Sequence, residues 1–501
     1  MPRSLLCYLI NSAFCLFYRG QYKRFTAPID LRAVQEEKLS EILARNKTCA
    51  YAAGYDFDSV QNFRKSAPLT TYEDYLPYIE KIANGEKNIL TTDAVLLLQP
   101  TSGSAGASKL IPYTARLKAE YQCGLKPWVY QMYTACKGLK WGKSYWSITP
   151  VTQAKRPTPG GIPIGFEDDA AYFGRVGEKL LSYIFAVPNA VAREQDMDTF
   201  YFKTALYLLK CKGLTFVSVW NPTLFLLILD YMGENRGRLV AALPKKRGDQ
   251  VDALLGEGAY QKLWPGLRLI SCWCDANAAP YAAQLRERFP AVAVQPKGLL
   301  ATEGFVSLPF LGEEGARLSV YAHFFEFLSL RDDKIYLAHQ LVPGEEYEVI
   351  LTTSGGLYRY RMRDIIQVVG FSGQIPRIRF VGKKDKVSDL FGEKLSELFL
   401  KSLPIQSEFH MFAPEGAGYV LYIKTGCPLP DIDGLLKENF HYKYCRDLGQ
   451  LKPLKVFRLT GNPAKEFLDE CAKRGQRLGD IKPTVLSLQS GWDQIFKGEY
   501  L

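Results

Sequence analysis

Thr101-Ser102-Gly103-Ser104-Ala105-Gly106-Ala107-Ser108-Lys109 follows a short apolar run, Val95-Leu96-Leu97-Leu98. The run reads as a buried strand, and beyond Pro112 a helix-like segment begins at Thr114. Small hydroxyl residues and glycines between two ordered elements let backbone N–H groups converge on an anion, and Lys109 adds a full positive charge at the end of the loop. Such a loop holds the phosphates of a nucleotide, although most Gly/Ser runs are plain surface turns. It is not a Walker loop: Ser108 stands where that motif has glycine, and Leu110 where it has Ser or Thr.

Outward from the loop, hydrophobic periodicity predicts helices over residues 31–44 and 117–135. A helix begins at Tyr72, with Thr70 or Thr71 as cap and Glu73 and Asp74 suiting its dipole. Residues 144–149 and 216–220 read as strands, and 224–229 as a helix. Residues 157–165 are too rich in Pro and Gly for regular structure, and 236–258 read as a basic surface excursion. Residues 267–273, 280–289 and 291–295 form a strand–helix–strand unit, which implies parallel strands with a right-handed crossover. It ends at Lys297-Gly298-Leu299-Leu300-Ala301-Thr302-Glu303-Gly304, the carboxyl end where open α/β sheets bind ligands. Strands are expected at 318–322, 335–337, 346–353 and 365–371. A polar break at 380–385 marks a domain boundary. Beyond it, helix (393–401), strand (418–423), helix (431–438) and strand (455–459) alternate.

The expected fold class is α/β. A large N-terminal domain (1–380) holds parallel-strand units and a β-rich part, a hinge spans 381–385, and a smaller mobile α+β domain covers 386–501. Hydrophobic content of 47% and charged content of 23% are ordinary for a globular chain. The net charge of +11 comes from scattered residues, so a polyphosphate site explains it without nucleic acid. Eleven dispersed cysteines without a C-x-x-C pair favour reduced core thiols in a cytoplasmic protein; Cys272 and Cys274 are the one close pair. Residues 4–18 are apolar but too short to span a bilayer, and a buried first helix is expected, with peripheral membrane contact left open. The four histidines make no metal spacing.

Thr-Ser-Gly-Ser-Ala-Gly-x-x-Lys resembles the phosphate loop of the adenylate-forming enzymes. Together with Ala67-Pro68-Leu69-Thr70-Thr71-Tyr72-Glu73-Asp74-Tyr75 and Gly85-Glu86, it resembles the plant auxin- and jasmonate-conjugating acyl-acid amido synthetases and their bacterial relatives. The resemblance runs from about Gln35 to Pro483. It implies ATP and Mg²⁺, with Thr101, Ser102, Gly103, Ser104, Gly106 and Lys109 on the phosphates. Thr302 would contact the α-phosphate and Glu303 would ligate Mg²⁺. Gly356-Leu357-Tyr358-Arg359-Tyr360-Arg361-Met362-Arg363-Asp364 resembles the family's ribose motif, which implies that Asp364 holds both ribose hydroxyls. Arg363 stands where the family has glycine, and a positive φ there would be costly. Gly392-Glu393-Lys394 implies a nucleotide contact for Lys394. Gly479-Asp480-Ile481-Lys482-Pro483-Thr484 implies a mobile catalytic lysine, Lys482, with the proline one residue early.

The implied reaction is adenylation of a small carboxylic acid and transfer of the acyl group to an amine, an amino acid in this family. A thioester-forming ligase using coenzyme A, or a nucleotide binder without turnover, is the alternative. A monomer is expected.

Overall fold

The computed structural model describes residues 3–101, 109–146, 156–165, 183–194, 196–384, 386–391, 393–447, 450–474, 476 and 481–501. The chain divides into two units, Met1–Val381 and Gly382–Leu501.

In the first unit, α1 (Arg3–Thr26) includes the apolar N-terminal stretch, but it is only half buried. Cys7, Ile10, Cys15 and Tyr18 face the core, whereas Leu16 and Phe17 are 71% and 83% exposed. No helix among the described residues is long and apolar enough to cross a membrane. Asp30 caps α2 (Leu31–Asn46) through the Ala33 amide, and Ser59 caps α3 (Val60–Ser66) through Asn62. The expected cap of α4 (Tyr72–Ala83) is Thr71, in a reciprocal capping box with Asp74.

β1 (Val95–Pro100) and β2 (Leu110–Thr114) pair antiparallel, so the glycine-rich loop joins a hairpin rather than a strand and a helix. Ile111, Pro112 and Tyr113 are buried, which holds the chain extended. Only then does α5 (Ala115–Ala135) start, its first turn capped by the Thr114 hydroxyl on the Leu117 amide.

The predicted strand at 144–149 is β3 (Lys143–Trp146), and its remainder lies outside the described residues. Segment 157–165 is not wholly irregular. β4 (Arg156–Pro157) and β5 (Pro163–Ile164) form a short ladder, and Ile164 pairs parallel with Leu98 of β1. β6 (Leu214–Ser218), β7 (Leu269–Cys272) and β8 (Ala293–Pro296) join β3 in a parallel sheet of order β3-β6-β7-β8. Helices Pro222–Glu234 and Ala279–Arg288 lie in its crossovers, as the strand–helix–strand reading requires. Segment 236–258 is also more than an excursion. It forms helices Arg236–Ala241 and Lys245–Gly256, and buried Arg247 donates to the carbonyls of Leu209 (2.8 Å) and Leu263 (3.2 Å).

A seven-stranded sheet follows, built from β9 (Ser307–Pro309), β10 (Ala316–Leu318), β11 (Phe324–Ser329), β12 (Ile335–Leu337), β13 (Glu346–Thr352), β14 (Tyr360–Ser372) and β15 (Ile375–Lys383). Its order is β12-β11-β13-β14-β15-β10-β9. Of the strand expected at 318–322, only Leu318 is in a strand, as the last residue of β10; residues 319–322 lie in the turn between β10 and β11. Residues 380–383 are not a break, because β15 runs on to Lys383.

The turn between β13 and β14 carries Gly356 at φ +98°, where a Cβ would sit 2.5 Å from Leu90 Cβ and 2.8 Å from Leu90 O. Gly356→Ala therefore combines a left-handed alanine with an overpacked contact against backbone. Chemical denaturation should show a loss of about 2–6 kcal/mol.

In the second unit, β16 (Val387–Ser388) pairs with β17 (Leu395–Ser396) ahead of helix Glu397–Ser402. The helix predicted from 393 thus starts four residues late. β18 (Phe409–Glu415), β19 (Gly418–Lys424), β20 (Lys455–Leu459) and β21 (Gly498–Tyr500) form a sheet in that order. Leu400, Phe412, Leu421, Leu436 and Tyr442 lie in its core. The cysteines are all free, but only six are core residues. Cys427 is exposed, and Cys123, Cys136, Cys211 and Cys274 are half-buried.

Candidate active site

The ends of the glycine-rich loop are pinned by the hairpin ladder. The Thr101 amide donates to Lys109 O at 2.8 Å, and the Leu110 amide donates to the Tyr72 hydroxyl at 2.7 Å. The Lys109 ammonium lies 5.5 Å from the centre of the Tyr72 ring. Glu73, in the first turn of α4, has its carboxyl held below the ordinary range by its own backbone amide, by Thr71 and by Lys109. Ser102, Gly103, Ser104 and Gly106 lie outside the described residues. The buried Thr101 hydroxyl meets no hydrogen-bond partner among the described residues, nor do those of Thr353 and Ser354. Buried polar atoms in that state fit a polar ligand.

Thr302 and Glu303 lie in a tight turn, in which the Ala301 amide donates to Gly304 O at 3.1 Å. Tyr113 from β2 and Tyr121 from α5 each donate to Thr302 O at 2.8 Å, which ties this turn to the hairpin. The Phe305 amide donates to His323 Nε2 at 3.0 Å, so the ring proton sits on Nδ1 and is given to Glu120 at 3.2 Å. Glu120 also accepts from the Ser354 amide (3.3 Å) and pairs with Lys38 (3.0 Å). Burial pushes the Glu120 carboxyl up, but His323 and Lys38 together hold it below its ordinary value. His323→Ala would leave the Phe305 amide unsatisfied in the core and take one of its donors from Glu120. Denaturant titration should register a loss of about 1–3 kcal/mol.

The third segment enters β14. Arg359, at φ +49°, buries its guanidinium on Glu326 (2.8 and 3.1 Å) and on the carbonyls of Arg64 and Ala67. Thr70, just ahead of α4, donates its amide to Arg359 O and accepts from the Arg361 amide. Arg361 grips Glu348 in a two-pronged ion pair (2.8 and 2.6 Å). Arg363, inside β14, adopts φ +62°, a left-handed conformation held without glycine at a cost of about 1–3 kcal/mol. Buried Asp364 follows it. The Tyr360 phenol is pushed far up by burial, then by the carboxylates of Glu303, Glu73 and Asp364. Those three carboxylates are therefore near enough to act on one phenol electrostatically, as Lys109 is to act on Glu73.

One residue that sequence reasoning missed is Lys297, 2% exposed just beyond the carboxyl end of β8. Its ammonium reaches Ser218 Oγ at 2.7 Å and lies 4.7, 5.1 and 5.9 Å from the rings of Trp220, Trp128 and Trp146. Trp146 ends β3, and Trp220 lies two residues beyond the end of β6. That placement of tryptophan at successive strand ends was the available signal.

In the second unit, Lys394 is exposed at φ +46°, outside the helix expected for it. Lys482 is exposed between buried Ile481 and half-buried Pro483. Two residues on, the Thr484 hydroxyl (2.7 Å) and the Val485 amide (2.9 Å) donate to Glu397, and Lys386 also bonds to the Thr484 hydroxyl. Gly392, Gly479 and Asp480 lie outside the described residues.

The GH3 family N-terminal domain matches residues 23–251, which include the hairpin loop, and the GH3 family central domain matches residues 317–383, which include Asp364. The chain belongs to the GH3 family. This GH3 chain is 23% identical over 446 residues to indole-3-acetic acid-amido synthetase GH3.2 of Arabidopsis thaliana, covering 78% of this chain and 80% of that protein. It is 25% identical over 446 residues to indole-3-acetic acid-amido synthetase GH3.8 of Oryza sativa subsp. indica, covering 79% of this chain and 73% of that protein. Its fold matches the solved structure of GH3.15 acyl acid amido synthetase with a TM-score of 0.76 and 19% identity, over 94% of each chain. The α/β class expected from the sequence is the class of that fold.

Proposed function

We propose that this GH3 protein is an ATP-dependent acyl-acid amido synthetase. It adenylates a small carboxylic acid, releasing pyrophosphate, and transfers the acyl group to the amine of an amino acid with release of AMP. The observation that carries the reading is that three motifs are tied together: Tyr113 of β2 bonds to the Thr302–Glu303 turn, Tyr72 of α4 holds the Leu110 amide at the end of the glycine-rich loop, and Thr70 just ahead of α4 bonds to the start of β14, which carries Asp364. The named amido synthetases among its relatives support the choice of an amine acceptor over a thiol.

In this reading, Thr101, Ser102, Gly103, Ser104, Gly106 and Lys109 hold the phosphates, and Thr302 meets the α-phosphate as the acid's carboxylate attacks it. Asp364 anchors the ribose, Lys394 contacts the nucleotide, and Lys482 supplies positive charge where negative charge accumulates. The domains turn about residues 381–385 between the two half-reactions. Among the described residues no group of three or more His, Cys, Asp or Glu could hold a metal ion. Mg²⁺ takes one or two carboxylates and completes its octahedron with phosphate oxygens and water. Glu303 would hold it, and the bound ion would offset the phosphate charge. A reducing cytoplasm and a monomeric state complete the proposal, the former supported by eleven free thiols.

The test is a carboxylic-acid library assayed for pyrophosphate release with and without amino acids. Acid-dependent release with amide product is expected. Products only with coenzyme A, or no release with any acid, would overturn the reading. Asp364→Ala should raise the KM for ATP, since each hydroxyl bond to a carboxylate is worth about 1.5–3 kcal/mol. The mutant should lose the preference for ATP over 2′,3′-dideoxy-ATP that the wild type shows.

A further inference from the structure

Cys272 is the last residue of β7, and the chain curls immediately beyond it. The Cys274 Sγ thereby lies 3.9 Å from the Cys272 Sγ and 3.5 Å from the Cys272 carbonyl oxygen. Cys272 is fully buried, while Cys274 is half-buried. The two sulfurs share the carboxyl edge of the parallel sheet with Lys297. Cys272 pairs with Pro296, directly before that lysine, and the Trp273 amide donates to the Trp220 carbonyl at 2.8 Å.

We propose that Cys272 and Cys274 form a peroxide-reactive dithiol, with Cys274 as the attacking thiol and Cys272 as the resolving one. The asymmetry of the pair sets these roles. The thiol–thiol bond and Arg286 favour the thiolate at Cys274, while the same bond and burial hold Cys272 protonated. In the first step the Cys274 thiolate attacks one oxygen of hydrogen peroxide. The O–O bond breaks, leaving a sulfenic acid at Cys274 and a hydroxide that takes up a proton to become water. In the second step the Cys272 sulfur attacks the sulfenic sulfur. The S–S bond forms, the S–O bond breaks, and the hydroxyl leaves with the Cys272 thiol proton as a second water. Two thiols lose two electrons in all, and the peroxide gains them. Closing a ring over one intervening residue is strained, and strained disulfides are the readily reduced, reversible ones.

The experiment treats the full-length protein, reduced and desalted, with equimolar hydrogen peroxide, followed by alkylation and tryptic mapping. Both cysteines fall in one tryptic segment, residues 269–286, so the bond appears as an unalkylated segment short of two hydrogens, restored by dithiothreitol. Cys274 should oxidise about ten-fold faster than exposed Cys427. Cys272→Ser should accumulate a dione-trappable sulfenic acid at Cys274, and Cys274→Ser should accumulate none at Cys272. The proposal is overturned if wild-type segment 269–286 stays reduced while Cys427 oxidises. Disulfide formation by either cysteine with another residue would overturn it too, as would equal sulfenic trapping in both variants. The wild-type mapping decides the matter even where a serine variant folds poorly.

Discussion

Lys482→Ala is expected to lose acyl-adenylate formation from ATP by about 10²–10⁴ in rate, yet still to aminolyse a supplied synthetic acyl-adenylate. The substitution should leave the fold alone. Lys482 is exposed, and the loop around it is held by buried Ile481 and by the bonds from Thr484 and Val485 to Glu397, none of which involves the lysine ammonium. In the proposed reading Lys482 acts at the α-phosphate while the carboxylate displaces pyrophosphate, and a turn of its domain before aminolysis would take it away from the second step, which then should not feel its loss. Pyrophosphate release and amide formation from the synthetic intermediate, measured on one preparation, separate the outcomes. Equal damage to both steps would mean a static structural lysine, and damage to neither a solvated loop residue.

Glu303→Gln should lower acid-dependent pyrophosphate release by about 10²–10³, the scale on which a fixed transition-state charge contact is lost, and should raise the Mg²⁺ concentration needed for half-maximal rate. Glutamine keeps the size of the side chain and removes its charge, which a hard dication requires. The turn itself does not depend on that carboxylate. It is held by the Ala301–Gly304 backbone bond and by the two tyrosine hydroxyls on Thr302. The melting temperature should therefore stay close to that of the wild type. Near-normal release at limiting Mg²⁺ would remove Glu303 from the metal.

What could be read from the sequence follows the range over which each feature is encoded. The caps at Asp30, Thr71 and Asn221 act within a few residues, and the helices they open could be placed. β2 could not, because residues 110–114 are too few to show a period and contain a proline; their burial against the rest of the fold makes them a strand. Residues 319–322 misled in the opposite way, since four buried residues in a row fit a turn inside a core as well as a strand. The same division holds at the site. Lys109, Glu303 and Asp364 stand in local motifs whose order is visible. The groups that position them do not: Tyr113 reaches Thr302 across 189 residues, and Glu120 meets His323 across 203. Nor did spacing alone reveal Lys297, whose three indoles come from separate elements.

The clamp at Glu397 also bears on heredity. One carboxylate receives Thr484 and Val485, and Lys386 bonds to the same threonine hydroxyl, so residues nearly a hundred positions apart answer to a single side chain. A change at any one of the three side chains leaves the other two mismatched in a buried place. Across lineages, positions 386, 397 and 484 should therefore be inherited as a set, drifting together or not at all.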